Sequence, residues 1–208
     1  GHARAILERL GPHGRLLAVD RDPEAAAAGA LLGDPRFLFR RVRFSSAAAV
    51  IDESGLTGKV DGVLLDFGVS SPQLDDRARG FSFQSEGPLD MRMDTTSGES
   101  AAEWLAAASQ SEIERCLFEY GEERHARRIA RRICAERVQA PITTTTRLAA
   151  LVAGAVPRSG ERIHPATRAF QALRIQVNDE LHEIATALPG LTAALAPGGR
   201  VCAISFHS

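Results

Sequence analysis

The chain has 208 residues, 44% of them hydrophobic and 25% charged, enough to bury the core of one domain with a sizeable insertion and too apolar for a disordered chain. It contains no apolar run of the roughly 18 residues that a membrane helix needs, and Gly1-His2-Ala3-Arg4 lacks the basic and apolar regions of a signal peptide, which predicts a soluble cytoplasmic protein. Cys116, Cys134 and Cys202 are odd in number and widely spaced, a pattern that favours neither a disulfide framework nor a zinc knuckle.

In chain order, a helix over residues 3–10 follows Gly1-His2 and precedes the apolar run Leu16-Leu17-Ala18-Val19, which ends at Asp20. Phe37-Leu38-Phe39 and Val60-Asp61-Gly62-Val63-Leu64-Leu65 are further short apolar runs, the last ending at Asp66. Each reads as a buried parallel strand, and helices in the intervals predict a doubly wound α/β sheet. Val201-Cys202-Ala203-Ile204 is a fourth strand, and Pro197-Gly198-Gly199 before it should stop a helix and turn the chain.

Between Asp66 and that last strand the periodicity is helical, and the interval is far longer than one crossover needs. It predicts an inserted helical lobe over residues 73–189, set into a catalytic domain made of residues 1–72 and 190–208. Ser100 with Glu103, and Ser111 with Glu114, have capping-box spacing and predict two helix starts. Ile113, Cys116, Leu117 and Tyr120 form one apolar stripe; Ala126, Ile129, Ala130, Ile133 and Cys134 form the next. Arg127, Arg128, Arg131 and Arg132 fall off that second stripe, toward solvent. Threonines 143–146 offer a cap to the following helix. Phe170, Leu173, Val177, Leu181, Ile184 and Leu188 recur at helical steps and predict one long helix. Met91 and Met93 read as core fillers.

The net charge of -1 hides an uneven distribution. Residues 121–174 carry 11 basic and 4 acidic side chains, a balance of +7, whereas residues 1–120 carry 13 and 19. All the basic residues but Lys59 are arginine. A basic lobe suits phosphate binding, although an Arg- and Ala-rich composition also follows from a GC-rich genome.

Chemistry is indicated at the strand ends. Asp20 follows Gly1 by 19 positions, near the roughly 20-residue interval between a glycine turn and the carboxylate that holds a ribose. Glycine lets backbone amides approach a ligand, and a strand-end carboxylate accepts two hydroxyl hydrogen bonds. A nicotinamide-dependent oxidoreductase would share this spacing. Asp66-Phe67-Gly68-Val69-Ser70-Ser71-Pro72-Gln73 leaves a second strand end, again where open α/β sheets place their ligands. His2 and His207 have no partner at metal-ligand spacing, so no metal site is expected.

Six blocks in order carry a resemblance. They are the run from Asp66 to Gln73, Gly80-Phe81-Ser82-Phe83, Gly87-Pro88-Leu89-Asp90-Met91-Arg92-Met93-Asp94, Tyr120-Gly121-Glu122-Glu123-Arg124, His164-Pro165-Ala166-Thr167-Arg168 and Ile204-Ser205-Phe206-His207-Ser208. Together they resemble the bacterial ribosomal small-subunit methyltransferase H family, RsmH, also called MraW. The resemblance implies a class I, Rossmann-like methyltransferase fold, S-adenosylmethionine as cofactor, and methyl transfer to the exocyclic N4 of a cytidine in the decoding region of 16S rRNA or the small ribosomal subunit. It places cofactor contacts on Gly1, His2, Asp20, Phe44, Asp66 and Gln73, and leaves the family's first strand and C-terminal strands outside this chain. Val42-Arg43 stands before Phe44 where the family has a glycine.

Asp66, Ser70 and Ser71 are the candidate catalytic residues, because a cytosine amine needs alignment and an oxygen acceptor for its N–H more than a strong base. Arg127, Arg128, Arg131, Arg168 and His207 are the candidate RNA contacts. A methyltransferase acting at another RNA site, or an inactive RNA-binding homologue, would share most of these features.

Overall fold

The structure, a computed structural model, describes residues 1–157 and 163–205. Its chain divides into two compact units, Gly1–Gly68 with Leu181–Ser208, and Val69–Glu180.

The first unit is α/β. Strand β1 (Leu16–Asp20) pairs in parallel with β2 (Phe37–Arg41), Leu16 opposite Phe37 and Asp20 opposite Arg41. The crossover is α2 (Pro23–Ala30), whose start is set by Pro23 in the first turn and by Asp22, which accepts a hydrogen bond from the Glu24 amide at 2.9 Å. Strand β3 (Val60–Asp66) pairs in parallel with β4 (Leu195–Ile204), Gly62 opposite Arg200 and Asp66 opposite Ile204. The four predicted strands are present, but as two separate two-stranded sheets among the described residues. What joins them is side-chain packing: Leu17 and Val19 of β1, Val63 and Leu65 of β3, Ala47 and Ile51 of α3 (Ala47–Glu53), and Ala187 and Leu191 of α10 (Glu180–Ala193) share one apolar cluster. Pro197-Gly198-Gly199 lies inside β4 rather than ahead of it. The missing Pro N–H and the sharp local geometry are absorbed by a register shift opposite Val60 and Gly62.

The second unit is helical, which accounts for the long interval without strands. Its core gathers Leu105 of α5 (Ala101–Ala107), Ile113 and Leu117 of α6 (Gln110–Gly121), Ile129 and Ile133 of α7 (Ala126–Gln139), Leu148 and Val152 of α8 (Thr145–Ala155), and Phe170 and Leu173 of α9 (Ala166–Asn178). Ser100 and Glu103 form the expected capping box. The next box is Ser109 with Glu112, not Ser111 with Glu114: the Ser109 amide donates to Glu112 at 2.8 Å, so α6 starts two residues earlier with the same Ser-x-x-Glu spacing. Thr144 caps α8. The long helix predicted through Leu188 is two helices, broken at Asp179, which adopts a left-handed φ of 53°. Its apolar spacing persisted across the break because α9 and α10 bury faces in different clusters, and Leu181 is left 51% exposed.

Much of the sequence between α4 (Ser71–Asp75) and α5 is a loop locked by side-chain hydrogen bonds. Buried Asn178, at the end of α9, donates to the Met91 carbonyl at 2.7 Å and accepts from the Met93 amide at 2.8 Å. Asp90 accepts from Arg92 Nε at 2.8 Å and Nη2 at 2.7 Å, and Arg79 donates to the Met93 carbonyl at 2.9 Å. These ties hold Met91 fully buried at a φ of 64°, a conformation costly for a residue with a β-carbon. Gly80 is required here, since a β-carbon would sit 2.3 Å from the Pro88 carbonyl oxygen. Gly121 is required for another reason: α6 crosses α9 so closely that its β-carbon would lie 2.6 Å from the Arg168 carbonyl oxygen. Replacing Asn178 by Ala strands a buried amide and carbonyl, each costing about 1–3 kcal/mol. A loss of about 3 kcal/mol is expected, read as a lower urea midpoint for unfolding of the helical unit.

Candidate active site

Two strand ends and a helix start position the candidate residues of the α/β unit. Helix α1 (His2–Arg9) begins at Gly1, its N-cap, and is anchored at its far end by Arg36. That guanidinium donates to the Leu7 carbonyl at 3.0 Å and the Leu10 carbonyl at 2.9 Å, satisfying orphan acceptors of the last turn, and is itself held by Asp34 at 2.6 Å. The anchoring sets the helix start beside β3. His2 Nε2 lies 3.1 Å from Asp66 Oδ2 at the end of that strand, and both side chains are about half exposed (57% and 47%).

Asp20 occupies the corresponding end of β1. Its Oδ1 accepts from the Asp22 amide at 2.9 Å, which turns the carboxylate at the strand's end. Loss of water around the carboxyl pushes it above the ordinary carboxylate range; the Asp22 amide opposes this and the Asp22 charge adds to it, although the residue remains exposed.

Phe44 opens a 3-10 turn (Phe44–Ser46) after β2 and packs at a tilt on Phe67, ring centroids 6.2 Å apart, at the edge of the apolar cluster. Its place is fixed by a residue that local sequence patterns do not single out. Glu183 of α10, buried, accepts from Arg43 Nη1 at 3.2 Å and from the Ser45 amide at 3.1 Å, so it holds both chain neighbours of Phe44. Burial alone would push the Glu183 carboxyl up, but hydrogen bonds from Ser45 and the Arg43 guanidinium draw it below the ordinary range. Arg43, in the Val42-Arg43 pair that stands before Phe44 where the resembled family has a glycine, is thus an anchor. Phe67 is the other unpredicted neighbour; its place directly after Asp66 was the available signal.

The remaining candidates lie in the helical unit. Ser70 is the N-cap of α4 and accepts from the Gln73 amide at 3.4 Å, while Gln73 Oε1 accepts from the Ser70 amide at 2.9 Å. Gln73 is buried and Ser70 and Ser71 are exposed, so this box presents two hydroxyl-bearing residues to solvent on a rigid turn. On α7, Arg127, Arg128 and Arg131 are exposed as expected, and Arg132 pairs with Glu136 at 2.7 Å. Arg168, half-buried in the first turn of α9, lines a separate cleft. His207 lies outside the described residues.

Within the α/β unit, Asp20 and Asp66 thus stand at the carboxyl ends of parallel strands, with His2 against Asp66. The MraW methylase family model matches residues 1–208. This chain belongs to the MraW methylase family. It is 59% identical over 210 residues to the ribosomal RNA small subunit methyltransferase H of Thioalkalivibrio sulfidiphilus, covering 100% of this chain and 67% of that protein. With the enzyme of the same name from Chromohalobacter salexigens it is 56% identical over 208 residues, covering 100% of this chain and 63% of that protein. The chain thus spans about two thirds of the length of these curated relatives. Membership of the MraW methylase family removes the oxidoreductase reading of the Gly1 to Asp20 spacing.

The Glu183 anchor is testable without cofactor. Glu183→Ala should destabilise the α/β unit by about 3 kcal/mol, since it removes two hydrogen bonds to a charged acceptor and leaves Arg43 unpaired. Because the folded carboxyl is drawn down, its contribution is fully present above the unfolded glutamate value of about 4.3 and is lost as pH falls toward the folded one. In urea titrations the gap between native protein and variant should be constant near neutrality and close as the medium is acidified below about pH 4.

Proposed function

We propose that this chain holds S-adenosylmethionine at the strand ends of its α/β unit and directs methyl transfer to the exocyclic N4 of a cytidine in the decoding region of 16S rRNA. The observation that carries the reading is the grouping of Gly1, His2 and Asp66 at one parallel strand end, with Asp20 at another, in a chain matched end to end by a methylase family. The residues fit the cofactor: an exposed carboxylate suits the two ribose hydroxyls, and the Phe44 ring offers an apolar surface to adenine. The bound cofactor supplies a methyl group made electrophilic by its sulfonium.

The protein's own tasks are then positioning and charge acceptance. A cytosine amine is a weak nucleophile because its lone pair is delocalised into the ring, so alignment contributes most of what the site must provide. As the nitrogen attacks, its N–H becomes more acidic, an oxygen acceptor stabilises the developing charge, and the surplus proton leaves to solvent after methyl transfer. Ser70 and Ser71, four and five residues beyond Asp66 in the chain, supply hydroxyls for that role, and Asp66 helps orient the amine. Gln73 acts first by fixing the Ser70 turn through its capping box. Arg127, Arg128 and Arg131 extend from α7 to the phosphates of the RNA, whose target base is presented unpaired or extruded.

Asp20→Ala in the intact protein should weaken S-adenosylmethionine binding at least tenfold, since each charge-assisted hydrogen bond lost contributes about 1.5–3 kcal/mol. Calorimetric affinity equal to the unmodified protein's would remove Asp20 from the site.

Attack from the amine also fixes the product as N4-methylcytidine. Carbon 5 of cytosine becomes nucleophilic only after a thiolate adds to the neighbouring carbon. Cys116 is buried in the helical core, where loss of water pushes its thiol up to about 12; Cys134 is half-buried on α7; and Cys202 pairs opposite Leu64 within β4 rather than at the strand's end. A variant with all three cysteines replaced by Ala or Ser should retain methyl transfer to small-subunit RNA, with the methyl group on N4 in nucleoside mass spectrometry. A folded but inactive variant, or a methyl group on carbon 5, would overturn the amine mechanism.

A further inference from the structure

Glu183 is a charge on the packed face of a helix, and the proposed reaction gives it no part. Along α10 the buried residues Glu183, Ala187 and Leu191 recur at helical steps, and Gly190 lies on the same side. That side is pressed against α3: a β-carbon on Gly190 would come 2.6 Å from the β-carbon of Ala48, and Ala47 and Ile51 share an apolar cluster with Ala187 and Leu191. Apolar contacts alone would hold these two helices together. A buried carboxylate in the same row is unfavourable unless it is fully engaged, and here both oxygens are. Oε1 accepts from Arg43 Nη1 at 3.2 Å and Oε2 from the Ser45 amide at 3.1 Å.

The segment it grips has little hold of its own. Residues Phe44–Ser46 form a single 3-10 turn without a side-chain cap, closed by the Ser46 amide on the Arg43 carbonyl at 2.9 Å. The Ser45 amide belongs to the start of that turn, where donors have no partner within the turn itself. Glu183 supplies the partner from 138 residues further along the chain. With Arg43 on one side and Ser45 on the other, the carboxylate brackets Phe44 by its two chain neighbours and not by its ring. The ring is only half-buried, and its aromatic contact is a tilted one with Phe67, planes 47° apart at a centroid separation of 6.2 Å. A single tilted contact at the margin of a cluster fixes a ring poorly; fixing the backbone beneath it removes most of the remaining freedom.

We infer that Glu183 is a positioning residue of the cofactor site, which sets, through Arg43 and Ser45, the orientation in which Phe44 meets the adenine of S-adenosylmethionine. It touches neither cofactor nor RNA. The inference rests on the reading of Phe44 as the adenine neighbour, and it adds that this surface is set from α10, so that loss of Glu183 is felt as weaker cofactor binding as well as lower stability. A turn already held in place needs no ordering when the ligand arrives, whereas a loosened one must be ordered on binding, which lowers affinity.

The test reads S-adenosylmethionine binding to the intact protein by calorimetry, well below the melting temperature of each variant. Glu183→Ala should weaken binding roughly fivefold, and Glu183→Gln, whose amide oxygen still accepts from Ser45, should recover most of that loss. Phe44→Ala should weaken binding at least as much as Glu183→Ala. In the Phe44→Ala background, Glu183→Ala should then weaken binding less than about twofold further, because the ring through which it acts is gone. The full loss persisting in that background, or an affinity that Glu183→Ala does not change, overturns the positioning role and leaves Phe44 at the adenine. An affinity that Phe44→Ala does not change overturns the adenine reading itself, and the inference with it. Hydrogen exchange without cofactor gives a separate readout: Glu183→Ala should speed exchange of the Ser45 amide, and an unchanged rate overturns the tie. If Glu183→Ala fails to fold, Arg43→Gln takes its place in the same cycle, since it releases one oxygen of the same carboxylate; a loss of roughly threefold that vanishes with Phe44→Ala supports the inference, and no loss overturns it.

Discussion

The arrangement rests on the parallel pairing of β3 with β4, two strands separated in the chain by the whole helical unit. Because Asp66 stands opposite Ile204, the strand end that bears the candidate chemistry is set only when a segment far along the chain returns. The same return carries α10 onto the α/β unit, and with it Glu183. That carboxylate ties down Arg43 and Ser45 and so holds Phe44 at the edge of the apolar cluster. Closing so long an excursion costs conformational entropy that grows only slowly with its length, and the ladder, the Ala187 and Leu191 contacts and the Glu183 hydrogen bonds offset it together.

The blocks that carry the family resemblance divide, in the structure, between exposed polar positions and buried architecture. Asp66 is an exposed strand-end carboxylate in contact with His2, and Ser70 and Ser71 stand exposed on a capped turn. By contrast Gly80, Asp90, Met91, Arg92 and Met93 form a buried, hydrogen-bonded loop around Asn178, and Gly121 permits a helix crossing. A charged pair such as Asp90 and Arg92 looks functional in a linear motif, yet both side chains are spent on each other across two residues.

What could be read from the chain was what is local. Strand ends at Asp20 and Asp66, the Ser100 cap, the stripes of α6 and α7, and the outward arginines all follow from spacing within a dozen residues, and the structure places each accordingly. The break at Asp179 escaped because neither glycine nor proline marks it; the left-handed turn is taken by an aspartate next to an asparagine whose side chain is engaged far away, at Met91 and Met93. Glu183 and Arg36 escaped for the same kind of reason, since their partners lie more than twenty residues distant. Whether β1 and β3 would share one ladder was likewise a question of non-local pairing, which alternating hydrophobicity cannot answer.

The order of the units along the chain also has a consequence in time. The helical unit is continuous and owns its core, so every residue it needs has been synthesised once Glu180 emerges. The α/β unit is discontinuous: β3 is made early and then waits, with the ladder groups of one edge unpaired, until β4 arrives. An unpaired strand edge of this kind is a template for pairing with another chain. Folding of the helical unit on its own core would keep the intervening polypeptide compact during that wait. Slow elongation between Glu180 and Leu195 would therefore raise the chance of aggregation more than an equal delay within the helices, a vulnerability set by topology and not by the stability of either finished unit.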